Sequence, residues 1–318
     1  MSALRIGTRA SALALWQSRR VAELIGCQPG SPPVELIPIR TEGDVRSDIP
    51  LWAVEGRAFF TKEIDRALLA KEVDIAVHSL KDLATRVEQG IELAAVLERE
   101  DPRDALIAAD RSLSLADLPK GIRVGTSSLR RRAFLAHARP DIVPLDLRGN
   151  VPTRIEKLRQ GEYGAIVLAT AGLNRLGLEG HISAHLPTES FPSAVSQGAI
   201  GICTRSDDAD ALRWLRPLDH FHTRLATTAE RALLRRIEGG CQVPLGALAT
   251  VDDARLNLYA AVCSLDGSMM LCTKLSSAAT LASAIALGES VADDLLAKGA
   301  GRIIEQQRGA VRSVAELP

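Results

Sequence analysis

Apolar positions recur with two different periods along the chain, and the switches between them mark out its elements. The run LRIGT (4–8) is short and continuous. SALALWQSRRVAELI (11–25) instead repeats apolar residues at helical spacing, with Ser11 placed in front as a cap. VELIPIRT (34–41) predicts a second strand, FFTKEIDRALLAKE (59–72) a helix and VDIAVHSL (73–80) a third, buried strand. Strand and helix in alternation predict a parallel sheet with crossover helices.

The pattern then returns. IRVGTSSLRRRAFLAHA (122–138) echoes the N-terminal stretch, with R-V-G-T at 123–126 matching R-I-G-T at 5–8. DIVPLDLR (141–148) stands for VELIPIRT, each with a proline inside an extended run, and YGAIVLATAGL (163–173) stands for VDIAVHSLKDL. The offsets shrink along the chain, so the duplication is structural and not a tandem sequence repeat. Two such α/β halves facing one another would leave a cleft. LEREDPRD (97–104) and SFPSAVSQGAIG (190–201) are the expected crossovers.

From about residue 220 the style changes. TRLATTAERALLRRIE (223–238) predicts an amphipathic helix, followed by three alternating runs, VPLGALAT, ARLNLYAAVCSL and SMMLCTKL. LDG at 265–267 turns the chain between the last two, and a long helix over 278–298 closes it. The expected fold class is α/β, with two similar domains on mainly parallel sheets. A C-terminal α+β domain with a three-stranded antiparallel sheet completes it.

Composition narrows the function by exclusion. The chain has 318 residues, 46% hydrophobic and 25% charged, which is ample for two or three domains with sizeable cores. Lys plus Arg and Asp plus Glu both number 39, so net charge directs it to neither nucleic acid nor a membrane surface. The five cysteines form no C-x-x-C, which fits free thiols in a reducing compartment. Arg5 and Arg9 interrupt the N-terminal stretch before a signal-peptide core develops, and no apolar run approaches a membrane span. The expected location is the cytoplasm.

The neutral total hides a basic stretch. Between 129 and 159, seven arginines and Lys157 face three acids, an excess of five positive charges. Arg130 and Arg131 follow GTSS at a helix start, Arg148 ends its strand, and Arg154 lies in the first turn of the next helix. Arg9 holds the matching turn of the first half. A single surface arginine usually pairs with a nearby acid, but this set recurs at carboxyl ends of strands, where ligands bind in open sheets. Arginine's fork suits carboxylate or phosphate, and neither glycine-rich phosphate loop is present, so a ligand with several carboxylates fits.

Three further features carry candidate chemistry. Lys81 and Asp82 end the buried strand of the first half; Asp82 suits either a turn cap or a group that holds an N–H donor and stabilises a developing cation. The pairs His181/His185 and His220/His222 have metal-compatible spacing, but no acid or cysteine completes a set, so no metal site is expected. Cys241 in EGGCQVPLG sits where a helical pattern gives way to a strand-like one, a setting that leaves packing and chemistry both open.

The motifs RIGTRASALALWQ, DIAVHSLKD, REDPRDA, GTSSLRR, LRGNVPTR, AGLNRLGL and EGGCQVPLG run in order from residue 4 to 246. Together they resemble the hydroxymethylbilane synthase, or porphobilinogen deaminase, family over essentially the whole chain. The resemblance implies two domains like type-2 periplasmic binding proteins, followed by an α+β domain carrying the cysteine. The implied boundaries are 1–98 with 197–217, then 103–192, then 220–318. It implies an enzyme of tetrapyrrole biosynthesis that condenses four porphobilinogen molecules head to tail, releases four ammonia, and acts as a monomer. It also implies a dipyrromethane cofactor joined as a thioether to Cys241, with Asp82 as the catalytic acid. Lys81, Ser127, Ser128, Arg130, Arg131 and Arg154 are implied to bind the cofactor. Arg9, Ser11, Arg148, Arg175, Phe60 and Gln197 are implied to bind substrate. Two positions depart from the family: EGRAFF (55–60) stands where Gly-Lys-Gly usually precedes the phenylalanine, and Ser196 stands where glycine is usual.

The competing readings are a two-lobed carrier of a carboxylated ligand without turnover and an inactive homologue. The missing signal peptide counts against the first. The presence of both Asp82 and Cys241 counts against the second.

Overall fold

The computed structural model describes residues 3–41, 61–237 and 243–315. Its first sheet comprises β1 (Leu4–Thr8), β2 (Val34–Pro38), β3 (Ile75–Ser79), β4 (Ile91–Val96) and β10 (Ile200–Arg205). The second comprises β5 (Asp104–Ala108), β6 (Arg123–Gly125), β7 (Val143–Leu145), β8 (Ala165–Ala169) and β9 (Ala184–Leu186). The third is the antiparallel meander β11 (Leu245–Asp252), β12 (Arg255–Cys263) and β13 (Met270–Ala278).

The first two sheets have matching orders, β2-β1-β3-β10-β4 and β7-β6-β8-β5-β9. In each, the second strand in the order, β1 or β6, is parallel to both neighbours. In each, one strand runs against the other four: β10 is antiparallel to β3 and β4, and β5 to β8 and β9. The sheets are thus mainly parallel, as expected. The reversed strands were not read from the pattern, because each begins inside or beside a segment whose charges, prolines or small residues mark it as a crossover.

Helices follow the strands in both halves: α1 (Ala12–Gly26) and α2 (Lys62–Leu69) in the first, α3 (Leu129–Ala138), α4 (Val151–Arg159) and α5 (Thr170–Arg175) in the second. α6 (Ala209–Leu215) and α7 (Phe221–Arg236) come next, then α8 (Leu281–Ala297) and α9 (Ala300–Ala315) beyond the meander. The expected closing helix therefore stops at Ala297 and a second helix follows it. Both sheets are buried on two faces, which is why their strands read as continuous apolar runs. Along β3, Ile75 and Val77 join one core cluster and Ala76 another; along β8, Ala165 and Val167 alternate in the same way with Ile166 and Leu168.

The duplication extends to hydrogen bonds. Arg5 donates to the Lys71 carbonyl at 2.8 Å, and Arg123 donates to the Gly161 carbonyl at 3.2 Å. Both acceptors are left-handed, at φ 59° and 78°. Gly7 and Gly125 of the repeated R-x-G-T motifs are each packed so closely that an added Cβ would lie 3.0 Å from Val73 and 2.9 Å from Tyr163, respectively.

The described chain divides into two compact units. One contains residues 3–41, 61–100 and 198–224, and the other 101–197, 225–237 and 243–315. The second unit holds both the second and third sheets. Ala261 and Cys263 of β12 share a buried cluster with Phe134 of α3 and with Phe191.

Candidate functional site

In the first unit, β1 and β3 lie side by side and parallel, so the residues after them emerge at one edge of the sheet. Arg9 and Ser11 follow β1. The Ser11 hydroxyl caps α1 by accepting from the Ala14 N–H at 3.3 Å. Lys81 and Asp82 follow β3 in a single 3-10 turn, Leu80–Asp82. That turn is pinned from behind: Leu80 is fully buried and its N–H donates to the Ala199 carbonyl at 3.0 Å. Its anchoring leaves the Asp82 side chain exposed. His78, four residues before Asp82, is buried, and its Nε2 lacks a hydrogen-bond partner. Burial, together with the charge of Arg9, pushes the imidazole pKa down to about 4, so it is neutral at pH 7.

The second unit repeats this edge with different chemistry. After β6, the Ser127 hydroxyl donates to the Leu147 carbonyl and accepts from the Leu147 N–H, both at 3.0 Å. Ser128 caps α3 by accepting from the Arg131 N–H at 3.4 Å. Arg148 follows β7. Arg154, in the first turn of α4, donates to the Gly149 carbonyl at 2.8 Å. Arg175, at the end of α5, is buried.

Arg130 and Arg131 converge on one carboxylate. Arg130 Nη2 lies 2.6 Å from Asp104 Oδ2, and Arg131 Nη2 lies 2.7 Å from Asp104 Oδ1. Arg130 also donates to the Pro192 carbonyl at 2.6 Å and Arg131 to the Val167 carbonyl at 2.9 Å. Gln197 joins them, its amide nitrogen 3.0 Å from Asp104 Oδ1 and 2.8 Å from the Pro102 carbonyl. The two arginines are only 5% and 7% exposed, and Asp104 is fully buried. Burial alone would raise the Asp104 pKa. The two guanidiniums and the bonds from Arg131 and Gln197 outweigh it and hold the carboxyl well below the usual range.

Asp104 has no role in the sequence reading. Its signal was a lone acid opening the otherwise apolar strand DALIA, since a charge in a buried strand needs partners. Phe60 and Cys241 lie outside the described residues, as do Arg57 and Ala58. Ser196 is described, and its φ of 62° accounts for the glycine usual at that position in the family. Among the described residues, no group of three or more His, Cys, Asp and Glu could hold a metal, and no helix is long and apolar enough to cross a membrane.

Two buried guanidiniums facing one carboxylate leave an excess of positive charge, and Arg130 Nε is buried with no hydrogen-bond partner. That donor set suits a group bearing carboxylates, as dipyrromethane does.

Basic residues at the strand ends of two duplicated α/β sheets, with the Asp82 carboxylate exposed at such an edge, suit a protein that handles a small polycarboxylate. The family models make that specific. One described as the porphobilinogen deaminase, dipyrromethane cofactor binding domain matches residues 4–213, and one described as the porphobilinogen deaminase, C-terminal domain matches residues 224–297. The chain belongs to the porphobilinogen deaminase family. This is a family of transferases, hydroxymethylbilane synthases of tetrapyrrole biosynthesis, that work on a dipyrromethane cofactor.

Among solved structures, the chain is similar to the methionine binding protein MetQ at 12% identity and TM-score 0.44, covering 72% of this chain and 93% of that one. It is also similar to a nutrient binding protein from Burkholderia cenocepacia bound to methionine (15%, TM-score 0.41, covering 67% and 89%). A third is a Salmonella typhimurium periplasmic binding protein with high arginine specificity (14%, TM-score 0.39, covering 69% and 92%).

Proposed function

We propose that Asp82 is the catalytic carboxylate of this chain's hydroxymethylbilane synthesis and that Cys241 is the attachment point of its dipyrromethane. The observation that carries the reading is the exposed Asp82 on its pinned turn, at the same sheet edge as Arg9, Ser11 and Lys81. The substrate must lose ammonia from its aminomethyl carbon, which leaves a cationic, electrophilic pyrrole. Asp82 accepts a hydrogen bond from the substrate pyrrole N–H and stabilises that charge as the C–N bond breaks. The bound dipyrromethane supplies the pyrrole carbon to which the first new carbon–carbon bond is made.

Arg9, Ser11, Arg148 and Arg175 hold the acetate and propionate groups of the incoming unit, with Phe60 and Gln197 lining the site. Lys81, Ser127, Ser128, Arg130, Arg131 and Arg154 hold the cofactor's carboxylates. Each added ring brings two carboxylates, which gives a physical reason for so many cations. The proposal divides the chain into domains 1–98 with 197–217, 103–192 and 220–318, and makes it a cytoplasmic monomer. Among the described residues, Cys27, Cys203, Cys263 and Cys272 form no disulfide, which supports a reducing compartment.

Intact-protein mass spectrometry tests the attachment. Protein made in cells that supply porphobilinogen carries an excess of two pyrrole units, and Cys241→Ser lacks it. An unmodified wild-type chain overturns the proposal.

A further inference from the structure

Glu230 of α7 is completely buried, and neither the reaction nor the sequence motifs give it a task. Its carboxylate spans two layers of the second unit. Oε2 accepts from the Ser196 N–H at 2.6 Å, and Oε1 accepts from the Ala249 N–H of β11 at 2.8 Å. Ser196 is one of three described non-glycine residues with positive φ, at 62°, in a region that side chains adopt only at a cost. The next residue, Gln197, is the one whose amide reaches Asp104. A line of short hydrogen bonds thus runs from Glu230 through the Ser196 backbone and the Gln197 amide to Asp104, and from there to Arg130 and Arg131.

We propose that Glu230 is a positioning residue for the Arg130–Arg131 pair, acting by holding Ser196 left-handed so that Gln197 reaches Asp104. Only a carboxylate meets the demand at this point. Two backbone N–H groups arrive from different segments, and each needs an acceptor. Glutamine offers one oxygen and turns its NH2 group toward the second donor. Ser196 would then keep its backbone strain without the bond that opposes it, and Gln197 would lose its aim. The inference rests on the reading that the arginine pair binds cofactor carboxylates.

The test uses the full chain, prepared without cofactor, and follows loading of dipyrromethane from porphobilinogen by intact mass. Glu230→Gln raises the half-saturating porphobilinogen concentration by about tenfold, the scale of one lost hydrogen bond, and changes the limiting rate by less than about twofold. Adding Ser196→Gly to Glu230→Gln restores most of the loss, because glycine adopts the left-handed conformation unaided. A purely structural Glu230 gives no such rescue. Gln197→Leu cuts the line one link further on and, because Gln197 also lines the proposed site, shifts loading at least as far as Glu230→Gln does. Loading unchanged in Gln197→Leu, or a Glu230→Gln defect that Ser196→Gly leaves untouched, overturns the inference. Arg131→Leu separates it from the reading beneath. Normal loading there sinks the arginine site itself, whereas impaired loading there with a normal Glu230→Gln sinks only the role of Glu230.

Discussion

The two α/β halves share a strand order and even an arginine-to-carbonyl bond, yet corresponding positions carry different chemistry. Register aligns β3 with β8, so Ser79 corresponds to Ala169 and His78 to Leu168. On the reversed strands, Ile200 pairs with Ser79 and Asp104 pairs with Ala169, so an aspartate in the second half stands where the first has isoleucine. Beyond β3 come Lys81 and Asp82; beyond β8, at the same offsets, come Ala171 and Gly172. One half exposes an acid at its edge. The other buries an acid beneath two arginines. The backbone plan sets where side chains emerge, and single substitutions on that plan expose Asp82 in one half and gather two buried guanidiniums on Asp104 in the other.

The largest effect is expected from removing the acid that the second half lacks. Asp82→Asn keeps the shape and the turn but loses the charge that opposes the developing cation. Porphobilinogen consumption falls by about 10²–10⁴-fold with the fold intact. Turnover at the wild-type rate would show that the assigned acid is wrong.

Next is Asp104→Ile, which gives the second half the residue of the first. Two buried guanidiniums lose their carboxylate, so the second unit loses about 3–5 kcal/mol in denaturant unfolding. The wild-type pair also carries a signed pH dependence. The folded Asp104 pKa lies below the unfolded value of about 4, so its stabilisation is present above that value and disappears as pH falls through the folded one. An Asp104→Ile chain as stable as wild type breaks the comparison, because the charge would then be incidental to that half.

The smallest is His78→Leu, the reverse exchange in the first half. The folded imidazole titrates at about 4 and the unfolded one at about 6.5, so the unfolded chain binds the proton first. Wild type therefore loses up to about 3 kcal/mol as pH falls from 6.5 to 4, on top of losses from other groups. His78→Leu, measured by thermal unfolding across that range, shows a shallower decline. An unchanged slope would mean that the buried imidazole is not the titrating group.

Much of this was legible along the chain. The repeated R-x-G-T, the proline-bearing second strands and the switch to alternation near residue 243 are local patterns, and each became the element it predicted. The arginines and the HSLKD turn were legible as strand-end groups, because residue type and position after a strand need no partner to be read. Asp104, Glu230 and the reversed strands were not. Asp104 meets Arg130, Arg131 and Gln197 at sequence separations of 26, 27 and 93, and Glu230 meets Ser196 at 34. No periodic pattern encodes such meetings.

By itself the sequence determined the duplication, the alternation that buries both sheet faces, and the residue types that mark a polycarboxylate-handling transferase. The tertiary structure decided which acid meets which cations and which buried carboxylate accepts from the N–H of the left-handed Ser196. The physical reason is that periodicity reports only whether a residue faces core or solvent. The fate of a charge depends instead on what the strand order brings beside it, and that order is set by β5 and β10, the strands that follow the crossovers and run against their neighbours.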